Sequence, residues 1–278
     1  MRLSLTWVSA AVVMGGLGAA AIGQSAPATE TSHRSSTEEP ALPAAPDKWS
    51  FEITPYFWLG ALDGDVTARG VTASIDQDFG DVIDLLKDHL NFGASIHFEA
   101  RYERWSIFID ALYMDLEGSR DGPLPGTGVD VELQQFIGEI GGSFRLAGAG
   151  REGVGRLRFV MDVLVAARVY YLDMEVDPQM LPSVGREETW FDPIIGLRGE
   201  VRPLPWLGLF ARGDIGGFGI GEGVTSEFSW NILTGIQLGS QRLSFVAGYR
   251  WLDVDFEDGG FEYDMLTHGP FLGMTMRF

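Results

Sequence analysis

Fourteen charged residues fall on one parity of a series of alternating segments: Glu52, Glu99, Arg101, Asp110, Glu139, Arg158, Asp162, Arg168, Asp192, Arg198, Glu200, Arg212, Asp214 and Arg250. Residues of one parity share one face of an extended strand, so eight carboxylates and six guanidiniums occupy a common wall. Near balance points to pairing, because an unpaired interior charge is costly. The choice of cation agrees: of 20 basic residues only Lys48 and Lys87 are lysines, and arginine suits a fixed, paired geometry. The chemistry on offer is ionic, either a salt-bridged interior or a lined passage for small cations.

Other chemistry has less support. With no cysteine, disulfide-stapled folds and thiolate metal sites are excluded. The histidines are His33, His89, His97 and His268, and Asp88-His89 is the one candidate base pair. Neighbours along a strand point to opposite faces, so no catalytic residue is assigned and His97 reads as a satisfied interior group. Asp253, Asp255, Glu257 and Asp258 offer oxygen ligands but lack the glycine and closing glutamate of a dedicated calcium loop; neither metal nor cofactor is expected. The run Gly216-Gly217-Phe218-Gly219-Ile220-Gly221 precedes no helical pattern, which makes it a hairpin loop and not a phosphate cradle. A net charge of −19 opposes nucleic-acid binding, since phosphates need cations.

The elements that must hold these groups are strands. From Trp49 onward apolar residues recur at every second position in ten segments, as in Leu157, Phe159, Met161, Val163, Val165, Ala167, Val169 and Tyr171. Each runs roughly 12 to 18 residues, where soluble strands average about 5 to 6 and a tilted membrane-crossing strand needs about 9 to 11. No stretch beyond the N-terminal region supplies the ~20 apolar residues of a spanning helix, and in lipid only helices and closed barrels satisfy every backbone group. The expected fold is all-β: a closed antiparallel transmembrane β-barrel of ten strands. Eight or twelve are the alternatives, depending on a weak fourth segment around Phe136, Ile140 and Phe144 and on whether Val66 to Ile75 forms its own hairpin. Ten strands enclose more space than side chains of an eight-stranded barrel fill; the bulk of Tyr56, Trp58, Phe108, Phe210 and Leu252 on the inner parity favours a plug over a narrow wet passage.

Connections alternate in length. Long ones are expected at Leu62 to His89, Glu117 to Asp130, Asp173 to Glu188, Gly217 to Ser226 and Glu257 to Phe261; short ones at Glu103-Arg104, Ala147 to Arg156, Pro203 to Pro205 and Ser240-Gln241. Short periplasmic turns and long outer loops belong to outer-membrane barrels. Aromatics form two belts, Trp49, Tyr102, Trp105, Phe144, Trp206 and Phe278 low and Phe57, Phe92, Tyr113, Tyr171, Trp230, Tyr249 and Trp251 high. Most acids sort to the long connections and make a negative rim. That rim suits divalent-cation bridges to anionic lipopolysaccharide, or a vestibule that concentrates cations. Within the first long connection, Asp78 to Leu90 has helical spacing, for a short amphipathic helix at the mouth or on the rim.

Residues 1–23, with Arg2 and the apolar run Leu3 to Ile22, read as a cleaved signal peptide. Residues 24–48 are rich in Ser, Thr, Ala, Pro and Glu and read as a disordered periplasmic linker, leaving 49–278 as the barrel.

The tail Leu272, Met274, Met276, Phe278, apolar at every second position to a terminal phenylalanine, resembles the C-terminal assembly signal of bacterial outer-membrane proteins. Residues 49–278 resemble the small outer-membrane β-barrel proteins by pattern. The resemblance implies residence in the outer membrane and insertion by the barrel-assembly machinery; it implies no particular activity. The expectation is a non-enzymatic structural or narrow-pore protein. A surface-exposed binding or adhesion protein and a lipid- or peptide-hydrolysing enzyme are the alternatives.

Overall fold

The computed structural model describes residues 49–278 except 69–70, 78–89, 121–128, 150–157, 179–183 and 222. The signal-peptide and linker expectations, the helical spacing at Asp78 to Leu90 and the Asp88-His89 pair lie outside the described residues.

Strands β1 (Ser50–Trp58), β4 (Leu90–Tyr102), β5 (Trp105–Arg120), β6 (Val129–Ala149), β7 (Arg158–Pro178), β8 (Val184–Leu204), β9 (Leu207–Gly217), β10 (Phe228–Gly239), β11 (Leu243–Asp258) and β12 (Phe261–Arg277) pair antiparallel in that order. The ring closes where β12 meets β1, with Glu52 opposite Arg277 and Phe57 opposite Leu272. Ten strands therefore form a closed antiparallel barrel. The end that carries both Ser50 and Arg277 is called the lower end below.

β2 (Ala61–Ala68) continues β1 along the same edge of β12, and β3 (Val71–Gln77) folds back on β2. The Val66 to Ile75 hairpin thus forms without adding to the ring; β3 stands outside it. The break between β1 and β2 has a local cause. Pro270 of β12 has no amide hydrogen to offer the ladder, and a Cβ on its neighbour Gly269 would lie 1.6 Å from the Leu59 carbonyl oxygen. Leu59 N instead donates to Pro270 O at 3.0 Å, and Trp58 Nε1 to Gly269 O at 3.2 Å.

The strands are longer than the sequence reading allowed. β6, β7 and β8 each have 21 residues, so within the stretches assigned to long loops the ladder runs on to Arg120 and resumes at Val129, and runs on to Val176 and resumes at Val184. Charged side chains hid these extensions, because above an apolar belt a strand has no reason to keep apolar residues on its outer face. The β11–β12 connection is a two-residue turn, Gly259-Gly260, with φ of 53° and 86°, a conformation glycine adopts without penalty.

Outward-facing apolar side chains encircle the barrel: among them Phe51 on β1, Ile96, Ile107, Ile140, Val165, Ile195, Leu209, Ile232, Phe245 and Leu272, one for each ring strand, are all exposed. On β5 this belt runs from Trp105 to Tyr113, about 27 Å along the strand and about 20 Å in height at a tilt near 40°. Its lower margin is aromatic, with Trp105 against Phe144 at 4.6 Å and Trp49 against Tyr102 at 5.3 Å.

Candidate functional site

The interior is stacked in layers. At the lower mouth Arg277 pairs with Glu52, Arg202 pairs with Glu200, and Gln237 Oε1 accepts from both arginines. Next, Asp162 takes Arg101 at 2.8 Å, Arg145 at 3.1 Å and Arg198 at 3.1 Å. Arg198 also reaches Glu99 on the far side of the ring, with Nη2 to Oε1 at 2.8 Å, and donates to Ser143 Oγ at 2.9 Å. Above that, Arg168 donates to Glu139 at 3.0 Å and to Asp214 at 2.7 Å, and Arg212 donates to the same two carboxylates. Arg168 and Asp214 have fully buried side chains. Each carboxylate that bridges arginines from different strands ties the wall together across the lumen, and charge-assisted bonds of this kind are the strong ones.

Two aromatic features support the polar layers. The direct cross-strand neighbours of Phe108, Phe210 and Phe271 are Gly141, Gly235 and Gly248. A Cβ on any of the three would lie within 2.8 Å of the facing ring. Part of the 37-glycine total is thus explained by inward phenylalanines lying flat over their neighbours. The guanidiniums of Arg198 and Arg212 sit 5.9 and 5.4 Å from the Phe108 ring centroid, and that of Arg250 4.7 Å from Trp58, within cation–π range.

The upper half of the lumen is mainly apolar, with one ion pair, Arg186–Glu188, whose guanidinium lies 5.4 Å from the Phe261 ring centroid. Trp58, Leu112, Tyr170, Trp190, Leu252, Val254, Phe256, Phe261, Tyr263 and Met265 form one buried cluster. Trp190 lies between Tyr170 (5.0 Å, 16°) and Phe256 (4.3 Å, 10°), so a stack of three rings crosses from β7 and β8 to β11. Below this plug the polar layers surround a cavity of about 470 Å³ that reaches the lower mouth at Ser50, Arg158 and Gln241. The interior is a cup closed at its upper end.

All eleven residues foreseen as the core of the charge network, Glu52, Glu99, Arg101, Asp110, Asp162, Arg168, Asp192, Arg198, Arg212, Asp214 and Arg250, point inward, but two are held differently from expected. Asp192 is fully buried and has no cation partner among the described residues: it accepts from Ser226 N at 2.8 Å and Ser229 Oγ at 2.7 Å, because its cross-strand neighbour Arg168 is taken by Glu139 and Asp214. Its role is to anchor the glycine-rich β9–β10 loop, whose Ser226 hydroxyl also receives Trp190 Nε1 at 3.1 Å. Arg250 donates to the neutral Asn231 at 2.8 Å. His97 Nδ1 lies 3.1 Å from Asp110 Oδ2, and Asp110 Oδ1 accepts from Tyr56 at 2.8 Å. His268, on the outer face, bonds Tyr249 at 2.6 Å.

Arg145, Arg202 and Arg277 were missed. Each shares the parity of an inward neighbour (Ser143, Glu200, Thr275), a signal that the closeness of Arg145 and Arg202 to the short connections obscured. In the tail, Leu272 and Phe278 are exposed, and Phe278 exchanges two backbone hydrogen bonds with Phe51 at 2.9 and 3.1 Å; Leu272, Met274, Met276 and Phe278 thus lie on the outer face of the strand that closes the ring.

The acids of the rim stand on outward strand faces above the apolar belt: Asp115, Glu132, Asp173, Glu175 and Glu187 on one side, Asp63, Asp65, Asp253, Asp255, Glu257, Glu262 and Asp264 on the other. Asp255 and Asp65 both sit directly opposite Asp264, and like charges so placed repel. Among the described residues no group of three or more metal-ligating side chains is arranged to hold an ion. Partial burial, with Asp264 and Asp255 nearby, pushes the Asp253 carboxyl up to about 6. Its folded value exceeds the ordinary ~3.9, so the folded state binds the extra proton between those limits and stability rises as pH falls from about 6 towards 4. The thermal midpoint of purified protein is accordingly expected to be higher at pH 5 than at pH 7.5, and Asp253→Asn to shrink that difference. An equal difference in the variant would assign the effect to other groups.

No family model matches the chain, and no curated protein matches it. Among solved structures it is similar to Ail, the attachment invasion locus protein of Yersinia pestis (10% identity, 83% of this chain and 99% of that chain, TM-score 0.34). It is also similar to Neisserial surface protein A (11%, 83% and 97%, 0.32) and to the translocator domain of the autotransporter NalP from Neisseria meningitidis (11%, 83% and 89%, 0.35). Likeness at this level assigns no activity.

Proposed function

We propose that the chain is a non-catalytic integral protein of the bacterial outer membrane whose barrel is sealed, so that it serves as a structural or surface-displaying element and not as an open pore. The observation that carries this reading is the pairing of an exposed apolar belt with an apolar plug. A continuous exposed apolar surface of this size needs a non-aqueous partner, and its height suits the hydrocarbon band of outer-membrane barrels, about 25 Å. Inside, the Tyr170–Trp190–Phe256 stack crosses the upper lumen, and its bulk supports a seal against hydrated ions. By the rule that short turns and chain ends face the periplasm, the cup opens to the periplasm and the acidic collar faces outward. There it suits divalent-cation bridges to lipopolysaccharide, and the tail ending at Phe278 serves as the signal read by the barrel-assembly machinery.

Planar-bilayer recording tests the seal. Reconstituted protein is expected to pass no steady current at moderate voltage; a sustained, cation-selective current would sink the sealed reading and restore the narrow pore. A second reading, surface binding, is favoured by one observation: the collar is built on β-ladders and not on loop tips, which gives a partner a rigid array of carboxylates.

A further inference from the structure

We propose that the lower cavity binds a small phosphate-bearing anion. Eight arginines and six carboxylates line it, a local excess of cations inside a chain whose net charge is −19. General composition therefore does not account for the excess. Two features show where it is unspent. The Arg158 side chain, exposed at the mouth, has neither a hydrogen bond nor an ion pair among the described residues, and it sits directly opposite Arg202 on β8. Glu200 and Gln237 hold Arg202, so the charge left without a counter-ion at this pair is that of Arg158. Arg101 also lines the cavity; its Nη2 is held by Glu99 and Asp162, while its Nη1 is buried without an acceptor among the described residues and meets a ligand only if the guanidinium turns towards the lumen.

The chemistry that satisfies these donors is an oxyanion, since guanidinium forks match phosphate and carboxylate oxygens. Phosphate fits better, because Arg101, Arg158 and Arg202 come from three strands, β4, β7 and β8, and a tetrahedral group accepts donors from several directions where a carboxylate accepts them in one plane. About 470 Å³ lies within the usual range for small-molecule sites, about 300 to 1,000 Å³. The same phosphate chemistry is offered by a soluble metabolite and by a lipid headgroup.

The test uses the full chain in detergent, titrated with sodium pyrophosphate by calorimetry at constant ionic strength against sodium chloride. Saturable binding with a sub-millimolar Kd is expected. Arg158→Gln is expected to weaken it at least tenfold without lowering the thermal midpoint, because Arg158 holds nothing else in place, and Arg158→Lys to fall between. No saturable heat, or equal affinity in Arg158→Gln, would overturn the proposal. Nanodiscs separate the sources: a headgroup occupant predicts pyrophosphate binding in phosphatidylcholine discs and its loss in phosphatidylglycerol discs, a soluble one predicts binding in both. Since the measurement needs no membrane potential or current, its failure is distinguishable from failure of the sealed-barrel reading.

Discussion

Arg168→Met is expected to destabilise the barrel by about 3–5 kcal/mol, the cost of breaking a buried ion pair from one side. The Arg168 guanidinium is fully buried and neutralises Glu139 and Asp214 together. Without it Arg212 alone faces both carboxylates, and the fully buried Asp214 cannot reach water without opening the wall. Urea unfolding in detergent, followed by near-ultraviolet circular dichroism, reads the loss. Adding Asp214→Asn should return part of it, because the second substitution removes one of the stranded charges, and that non-additivity is the signature of a direct coupling. A single variant within 1 kcal/mol of the parent would mean that the central layer behaves like a solvated surface.

Trp190→Ala is the second large effect, also about 3–5 kcal/mol, as for other buried aromatics truncated to alanine. The indole fills the space between Tyr170 and Phe256, contacts Tyr263 at 5.7 Å and donates to Ser226. Its removal should therefore do two things at once, thinning the plug and releasing the β9–β10 loop. Limited proteolysis is expected to cut between residues 218 and 227 in the variant and not in the parent. Trp190→Phe separates the parts: the stack persists while the Ser226 hydroxyl loses its donor, for a cost nearer 1 kcal/mol. Parent-like stability and protection in the alanine variant would remove the plug as a structural element.

What the sequence made legible was whatever obeys period two. The ring of ten, its aromatic lower margin and the inward parity of all eleven network residues follow from alternation and strand length alone. Three things were hidden, each for a physical reason. The extensions of β5 to β8 carry acids outward, so their pattern resembles a loop even though the backbone ladder continues. The break at Gly60 and Pro270 depends on the approach of two segments about 200 residues apart, which no local pattern records. The partners of Asp192 came from the β9–β10 loop and the start of β10, Ser226 and Ser229, because parity names the face a side chain points to and not which of several counter-charges it will find. Gly141, Gly235 and Gly248 likewise carry no local signal: each lies beneath a phenylalanine of the neighbouring strand.

Ring closure bears on how the protein comes to exist. The bonds that join β1 to β12 connect residues far apart in the chain, Thr54 to Thr275 at a separation of 221 and Glu52 to Arg277 at 225. Every other neighbouring pair in the ring is a sequential hairpin or, between β1 and β4, a shorter span. Loop closure over so long a separation is entropically unfavourable and slow. The seam can form only after the last strand has been made, so the molecule has no partly synthesised native state: it closes once, from both ends, or stays an open sheet with two unpaired edges.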